Sequence, residues 1–163
     1  MLVIKSEDPA TPDAATLIDA LSETLASITG DSGKASFDPD DVRGPLARFV
    51  VARNQEGSAL GCGAFRPLQA GIAEVKRMYA KPGTKGVGQA VLSHLEQEAV
   101  ALGYQHLWLE TRLINIRAVA FYEKHGYQRI PNFGKYAGNA AAVCLAKQLA
   151  CSPSDDLTQS LRD

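Results

Sequence analysis

The segment Ile72 to Ala80, followed by Lys81-Pro82-Gly83-Thr84-Lys85-Gly86-Val87-Gly88, decides how the chain is read. Ile72–Ala80 is a strand candidate whose apolar and polar residues alternate imperfectly, and Pro82 and Gly83 end it. Beyond Gly88, Val91, Leu92, Leu95, Ala99 and Leu102 recur three and four apart on one helical face, with Gly103 placed as a C-terminal cap. Strand, glycine-rich loop and amphipathic helix in succession form a cradle for phosphate. Glycines let the backbone close on a ligand, and the free N–H groups and partial positive charge of a helix N-terminus favour an anion. Lys85 adds a full charge. A Walker loop needs Lys and Ser/Thr after its last glycine, where this chain has Gln89-Ala90; a dinucleotide fingerprint needs glycine where Val91 stands. Both nucleotide readings fail on spacing.

Working outward, Leu2-Val3-Ile4 suits a first strand. Asp13 to Ile28 places Leu17, Ile18, Leu21, Leu25 and Ile28 on one helical stripe, with Gly30 as its cap. Residues 31–45 are loop-like, with Asp38, Asp40 and Asp41 forming an acidic patch that is either a solvated turn or an attractor for a cationic amine. Leu46–Arg53 and Ser58–Arg66 read as a hairpin turned at Asn54-Gln55-Glu56-Gly57. Gln105–Glu110 is strand-like. Asn115 caps a short helix from Ile116 to His125, ended by Gly126, and Tyr127–Ile130 and Ala141–Leu145 are further strands. The order β-α-β-β-β-α-β-α-β-β implies a mixed α/β fold: a twisted, mostly antiparallel central sheet flanked by helices.

Composition bounds the rest. A chain of 163 residues allows one domain, 1–150, before a Ser-, Asp- and Pro-rich segment, 151–163, expected to be a flexible tail. A net charge of −1 argues against a dedicated nucleic-acid binder. No apolar run approaches the ~18 residues of a membrane span, and the N-terminus turns acidic too early for a signal peptide. Three cysteines, Cys62, Cys144 and Cys151, without Cys-x-x-Cys spacing, and three histidines without ligand spacing, point to no metal and to a reducing, cytoplasmic setting.

Val75–Pro82 with the glycine loop resembles the acyl-CoA-binding motif of the GNAT superfamily of N-acetyltransferases, Arg/Gln-x-x-Gly-x-Gly/Ala, with Gly83 in the Arg/Gln position and Gly86 and Gly88 following. The block Asn115-Ile116-Arg117-Ala118-Val119-Ala120-Phe121-Tyr122-Glu123-Lys124-His125-Gly126-Tyr127 is similar to the family's later motif, Asn-x-x-Ala-x-x-Phe/Leu-Tyr-x-x-x-Gly-Phe/Tyr, at all its characteristic positions. Leu109-Glu110-Thr111, Arg129-Ile130-Pro131 and Phe133-Gly134-Lys135-Tyr136 are also family-like.

The resemblance implies acetyl transfer from acetyl-CoA to a primary amine of a small molecule by direct attack, with no metal and with a homodimer conceivable from family habit. It implies that Met78, Tyr79 and Ala80 meet the pantetheine as an added strand would, and that the N–H groups from Lys85 through Gly86, Val87 and Gly88 to Gln89 receive the pyrophosphate. Asn115 takes a cofactor hydrogen bond, or serves only as a helix cap. Tyr122 is the general acid for the departing thiolate, or an aromatic packing residue. Glu74 occupies the place of a general base, or is a salt-bridged surface residue. Two other functions stay open: a non-catalytic acyl-CoA-binding module, and a protein lysine or N-terminal acetyltransferase.

Overall fold

A computed structural model describes residues 1–150; the segment 151–163, with Cys151, lies outside the described residues. The elements are β1 (Val3–Ser6), α1 (Pro12–Thr29), β2 (Arg48–Arg53), β3 (Ala59–Gln69), β4 (Ile72–Ala80), α2 (Val87–Ala101), β5 (His106–Arg112), α3 (Ile116–Lys124), β6 (Gln128–Ile130) and β7 (Ala142–Gln148). Their order is the one expected. Segment 31–45 carries two 3₁₀ turns, Lys34–Ser36 and Pro39–Val42. Leu46 and Ala47 stay outside β2, because Ala47 N–H closes a turn onto the Gly44 carbonyl.

The strands form one sheet in the order β1-β2-β3-β4-β5-β7-β6, antiparallel everywhere except between β4 and β5. Alternation along β2 divides the core. Phe49 and Val51 join Ala14 and Leu17 of α1, while Val50 and Ala52 turn to the opposite face, where Val91, Leu92 and Leu95 of α2 and Val119 of α3 lie. Full burial of a leucine such as Leu17 or Leu95 contributes roughly 1.5–3 kcal/mol. Cys62 and Cys144 are buried free thiols, and burial pushes the Cys62 thiol up to about 12.

Close approach of α2 to the sheet depends on two glycines of β3. A Cβ on Gly61 would lie 2.6 Å from the Tyr79 carbonyl oxygen and from Val87 Cγ1; one on Gly63 would lie 2.7 Å from Val91 Cγ1. No other residue type fits there without displacing backbone or helix.

The imperfect alternation of β4 has a physical cause. Its pairing with β3 slips between Cys62↔Tyr79 and Ala64↔Lys76, so Arg77 and Met78 together oppose Gly63. Arg77 takes φ 53, the left-handed region that a non-glycine side chain seldom occupies. The extra residue bends the strand and changes which face each side chain takes. The parallel ladder stops short of it: β4 and β5 pair at Ile72↔His106, Ala73↔Leu107 and Glu74↔Trp108 and not farther, although they run on to Ala80 and Arg112. The sheet opens into a wedge.

Candidate active site

The wedge is a cleft of about 360 Å³. Glu74, Lys76 and Met78 line it from β4, Glu110 and Arg112 from β5, Asn115 and Tyr122 from the α3 side, and Lys135 and Tyr136 from the 3₁₀ turn Gly134–Tyr136. Because the sheet is open here, groups from both of its faces border one space. Tyr122 belongs to the α2/α3 core, whereas Tyr136 packs on the other face with Ala142 and Cys144.

Tyr122 sits on the buried stripe of α3, fixed by edge-on contacts to Phe121 and Tyr127 at 5.2 and 5.6 Å between ring centroids. Burial pushes its phenol well above the ordinary tyrosine range, so the group is a proton carrier at neutral pH. Among the described residues its hydroxyl takes part in no hydrogen bond, and the ring borders the cleft. Packing and a free donor coexist in one side chain. Asn115 likewise holds two positions: its Oδ1 accepts from Ala118 N–H as the α3 N-cap, and its residue lines the cleft.

Glu74 is not on the surface. It is 1% exposed, with Oε1 receiving Arg66 Nε at 2.9 Å and Nη2 at 2.7 Å. Oε2 receives the Tyr136 hydroxyl at 3.2 Å and lies 3.5 Å from Lys76 Nζ. Both oxygens are therefore occupied, although the residue itself borders the cleft beside Tyr136. The carboxylate in this ion pair was legible beforehand; its burial was not.

A second carboxylate, Glu110, was not singled out from the sequence. Its Oε2 pairs with Arg112, and among the described residues Oε1 takes no hydrogen bond. Burial, ahead of every other influence, raises its carboxyl above the usual range, Arg112 and Lys76 opposing and Glu74 adding. The alternation Leu107/Leu109 against Trp108/Glu110/Arg112 held the signal: the polar residues of β5 share the face opposite the core.

Arg77 and Lys76 shape the cleft from below. Arg77 is 8% exposed and donates to Ser22 Oγ (3.2 Å) and the Gly33 carbonyl (2.7 Å), its guanidinium 5.0 Å from the Phe37 ring centroid. Lys76 donates to the Ser36 carbonyl at 2.8 Å. Both side chains leave the bulged stretch toward the same face and clamp segment 32–37 against β4. The acidic patch lies elsewhere: Asp38 caps the turn Pro39–Val42, Asp40 pairs with Arg43, and Asp38, Asp40 and Asp41 do not line the cleft. It behaves as a solvated turn.

The glycine loop follows the C-terminal end of β4, outside the cleft's lining. Gly86 caps α2 at φ 73, and Ala90 N–H returns to its carbonyl, leaving the amides of Val87, Gly88 and Gln89 at the helix N-terminus. A Cβ on Gly88 would meet only the Phe121 ring, at an ordinary 3.5 Å, so the chain's own packing does not demand glycine there. Tyr79 turns away into the α1 core, and Ala80 pairs with Gly61. Of the residues singled out from the sequence, Glu74, Met78, Asn115 and Tyr122 meet in the cleft; Lys85 to Gln89 lie beyond its lining.

Residues 15–127, which include β4, the glycine loop, α2 and α3, match the model of the Acetyltransferase (GNAT) family. The chain belongs to the GNAT acetyltransferase family. An IAA acetyltransferase of Azospirillum brasilense is 31% identical over 151 residues, 91% of this chain and 98% of the relative. The uncharacterised N-acetyltransferase YsnE of Bacillus subtilis (strain 168) is 33% identical over 141 residues, 82% of this chain and 92% of that one. A crystal structure from Klebsiella pneumoniae subsp. pneumoniae MGH 78578, provisionally described as an acyl-CoA N-acyltransferase, superimposes with a TM-score of 0.78 at 27% identity, covering 92% and 99% of the two chains.

The GNAT fold implies acetyl-CoA as the donor, and the residues present fit it: an open strand edge for an amide-bearing arm, free helix amides and Lys85 for phosphates, and a phenol bordering the cleft. The GNAT motif also has a second register here, with Lys85 in the Arg/Gln position followed by Gly88 and Ala90. Gly83 lies at φ 84 beside the Lys81–Thr84 turn, and Lys85 directly precedes the helix cap.

Proposed function

We propose that the protein moves the acetyl group of acetyl-CoA to the primary amine of a small molecule by direct attack. The observation that carries this reading is the unpaired wedge between β4 and β5, bordered by the protonated, unbonded phenol of Tyr122. Met78, Tyr79 and Ala80 offer the open edge of β4 to the pantetheine amides, as an added strand does. The amides from Gly86 to Gln89, with Lys85, take the pyrophosphate, and Asn115 Nδ2 remains to donate to the arm.

An alkylamine is cationic at neutral pH and must lose a proton before attack. Its nitrogen then bonds to the thioester carbonyl carbon, a β4 amide near Met78 polarising the oxygen. The C–S bond breaks, Tyr122 gives its proton to the departing sulfur, and the proton still held by the acetylated nitrogen returns to the phenolate. Two carboxylates compete as proton acceptor. Glu74 reaches the amine only through the Tyr136 hydroxyl or a water. Glu110 has a free oxygen and a carboxyl held toward neutrality by burial, which favours it as the direct base, with Glu74 fixing Tyr136 and Lys76 around the amine.

Thermal shift and thiol release test the reading together. Acetyl-CoA at 100 times its Kd adds about 2.7 kcal/mol to stability, and free thiol appears with a small amine. Stabilisation without thiol release from any amine supports the binding-module alternative. Release with a lysine peptide but no small amine supports a protein acetyltransferase.

A further inference from the structure

On the acceptor side of the cleft, two ammonium groups converge on one neutral atom. Lys76 Nζ lies 2.8 Å and Lys135 Nζ 3.5 Å from the Ser36 carbonyl oxygen. Both flank the Tyr136 ring, 5.9 and 5.6 Å from its centroid. The one carboxylate in contact with this group, Glu74, is already shared with Arg66. Arg66 and Lys76 contact this buried anion and Lys135 adds a third positive charge across the Tyr136 ring, so cations outnumber the carboxylates even with Glu110, paired to Arg112, close by. Elsewhere along the lining, Arg112 is matched by Glu110, and Arg77 is held by Ser22 and loop carbonyls with Asp31 near. Lys76 is held below the usual ammonium range by burial first, Glu74 opposing and Lys135 and Arg66 adding to the effect.

A second cationic group on the substrate would meet this cluster with repulsion; an anionic one relieves it. We propose that the acceptor amine also bears a carboxylate, making it an amino acid or similar amino-carboxylate, and that Lys76 and Lys135 form the subsite for that carboxylate. The nearby Tyr136 hydroxyl and Ser36 carbonyl set the floor of the subsite. The amine then points toward Glu110 and the open end of the sheet. A volume of about 360 Å³ is at the small end of ligand sites, which suits such a molecule. This inference rests on the acetyl-transfer reading and replaces attraction of a simple cationic amine by the acidic patch at Asp38–Asp41.

The test compares α-, β- and γ-amino acids, each with its carboxamide and its decarboxylated amine, in the thiol-release assay with acetyl-CoA. The best acid should exceed its amide and plain amine at least tenfold in kcat/KM. Lys135→Gln, an exposed substitution, should raise KM for the acid about tenfold and bring acid and amide to near parity. Fluorescence of Trp108, the single tryptophan, tilted against Phe133 (ring centroids 5.1 Å apart), which in turn contacts Tyr136, gives an independent binding titration. Saturation by the acid and not the amide, lost in Lys135→Gln, supports the subsite. Turnover of plain amines equal to or above the acids, or an acid preference unchanged in Lys135→Gln, overturns this proposal alone. Acetyl-CoA binding with no thiol release from any amine overturns the acetyl-transfer reading, and the subsite with it.

Discussion

Glu74 of β4 and Trp108 of β5 are the last partners of their ladder, and past them the two strands separate. Backbone that would have been sealed in a continuous sheet is exposed at the wedge, and side chains from both faces reach one cavity. The separation begins before the β-bulge at Arg77 and Met78, and that extra residue bends the freed part of β4 along the cleft.

Tyr122→Phe removes the proton donor and keeps the ring in its aromatic cluster. Turnover should fall roughly 100-fold or more, while thermal stabilisation by acetyl-CoA stays at the wild-type value. Steady-state kinetics with a parallel melting curve read both quantities. Unchanged turnover would remove Tyr122 from the chemistry.

Glu110 must be deprotonated to accept a proton, so activity should be lost as pH falls through its raised value. The acidic limb of the pH–rate profile is therefore expected above the ~4.3 of an ordinary glutamate. Glu110→Gln should abolish that limb and lower kcat; Glu74→Gln should disturb acceptor KM more than the profile. A limb that persists in Glu110→Gln and disappears in Glu74→Gln assigns the base to Glu74 instead.

Arg77 combines left-handed backbone with a clamp on the loop beneath the cleft. In Arg77→Gly the backbone is relieved by about 1 kcal/mol, but the bonds to Ser22 and Gly33 are lost. Acceptor KM should rise several-fold while the Kd for acetyl-CoA holds. Equal weakening of both ligands would show that the arginine supports the bulge rather than the loop.

The order of elements was legible because it rests on local signals. Gly30, Gly71, Gly103 and Gly126 stand at turns or caps with positive φ, and the stripes of α1 and α2 need only near neighbours in sequence. The bulge along the wedge was not legible, since it depends on the register between β3 and β4, set across the hairpin. Residues brought together by that register share its obscurity: Arg66 with Glu74, Lys76 and Lys135 with Ser36, Arg77 with Ser22. Glu110 was within reach, lying in the family-like Leu109-Glu110-Thr111, but its value appears only once β5 parts from β4. Tyr122 and Asn115 were identified because their motif lies in one short helix.

Gly61 tests the packing that holds α2, and with it the phosphate-binding amides, against β3. Gly61→Ala places a methyl against the Tyr79 carbonyl, a backbone atom that cannot swing aside. A loss of about 1–3 kcal/mol is expected in urea unfolding, as for other overpacked sites, with weaker acetyl-CoA binding. A neutral result would mean that the helix and sheet have more room than 2.6 Å allows.

A crystal structure with coenzyme A bound tests the central claim most directly. The pyrophosphate should rest on the amides of Gly86 to Gln89, the pantetheine should run along β4 from Ala80 to Met78, and the sulfur should lie within hydrogen-bonding reach of the Tyr122 hydroxyl, about 3–4 Å. Coenzyme bound outside the wedge, or a sulfur remote from Tyr122, would contradict the account.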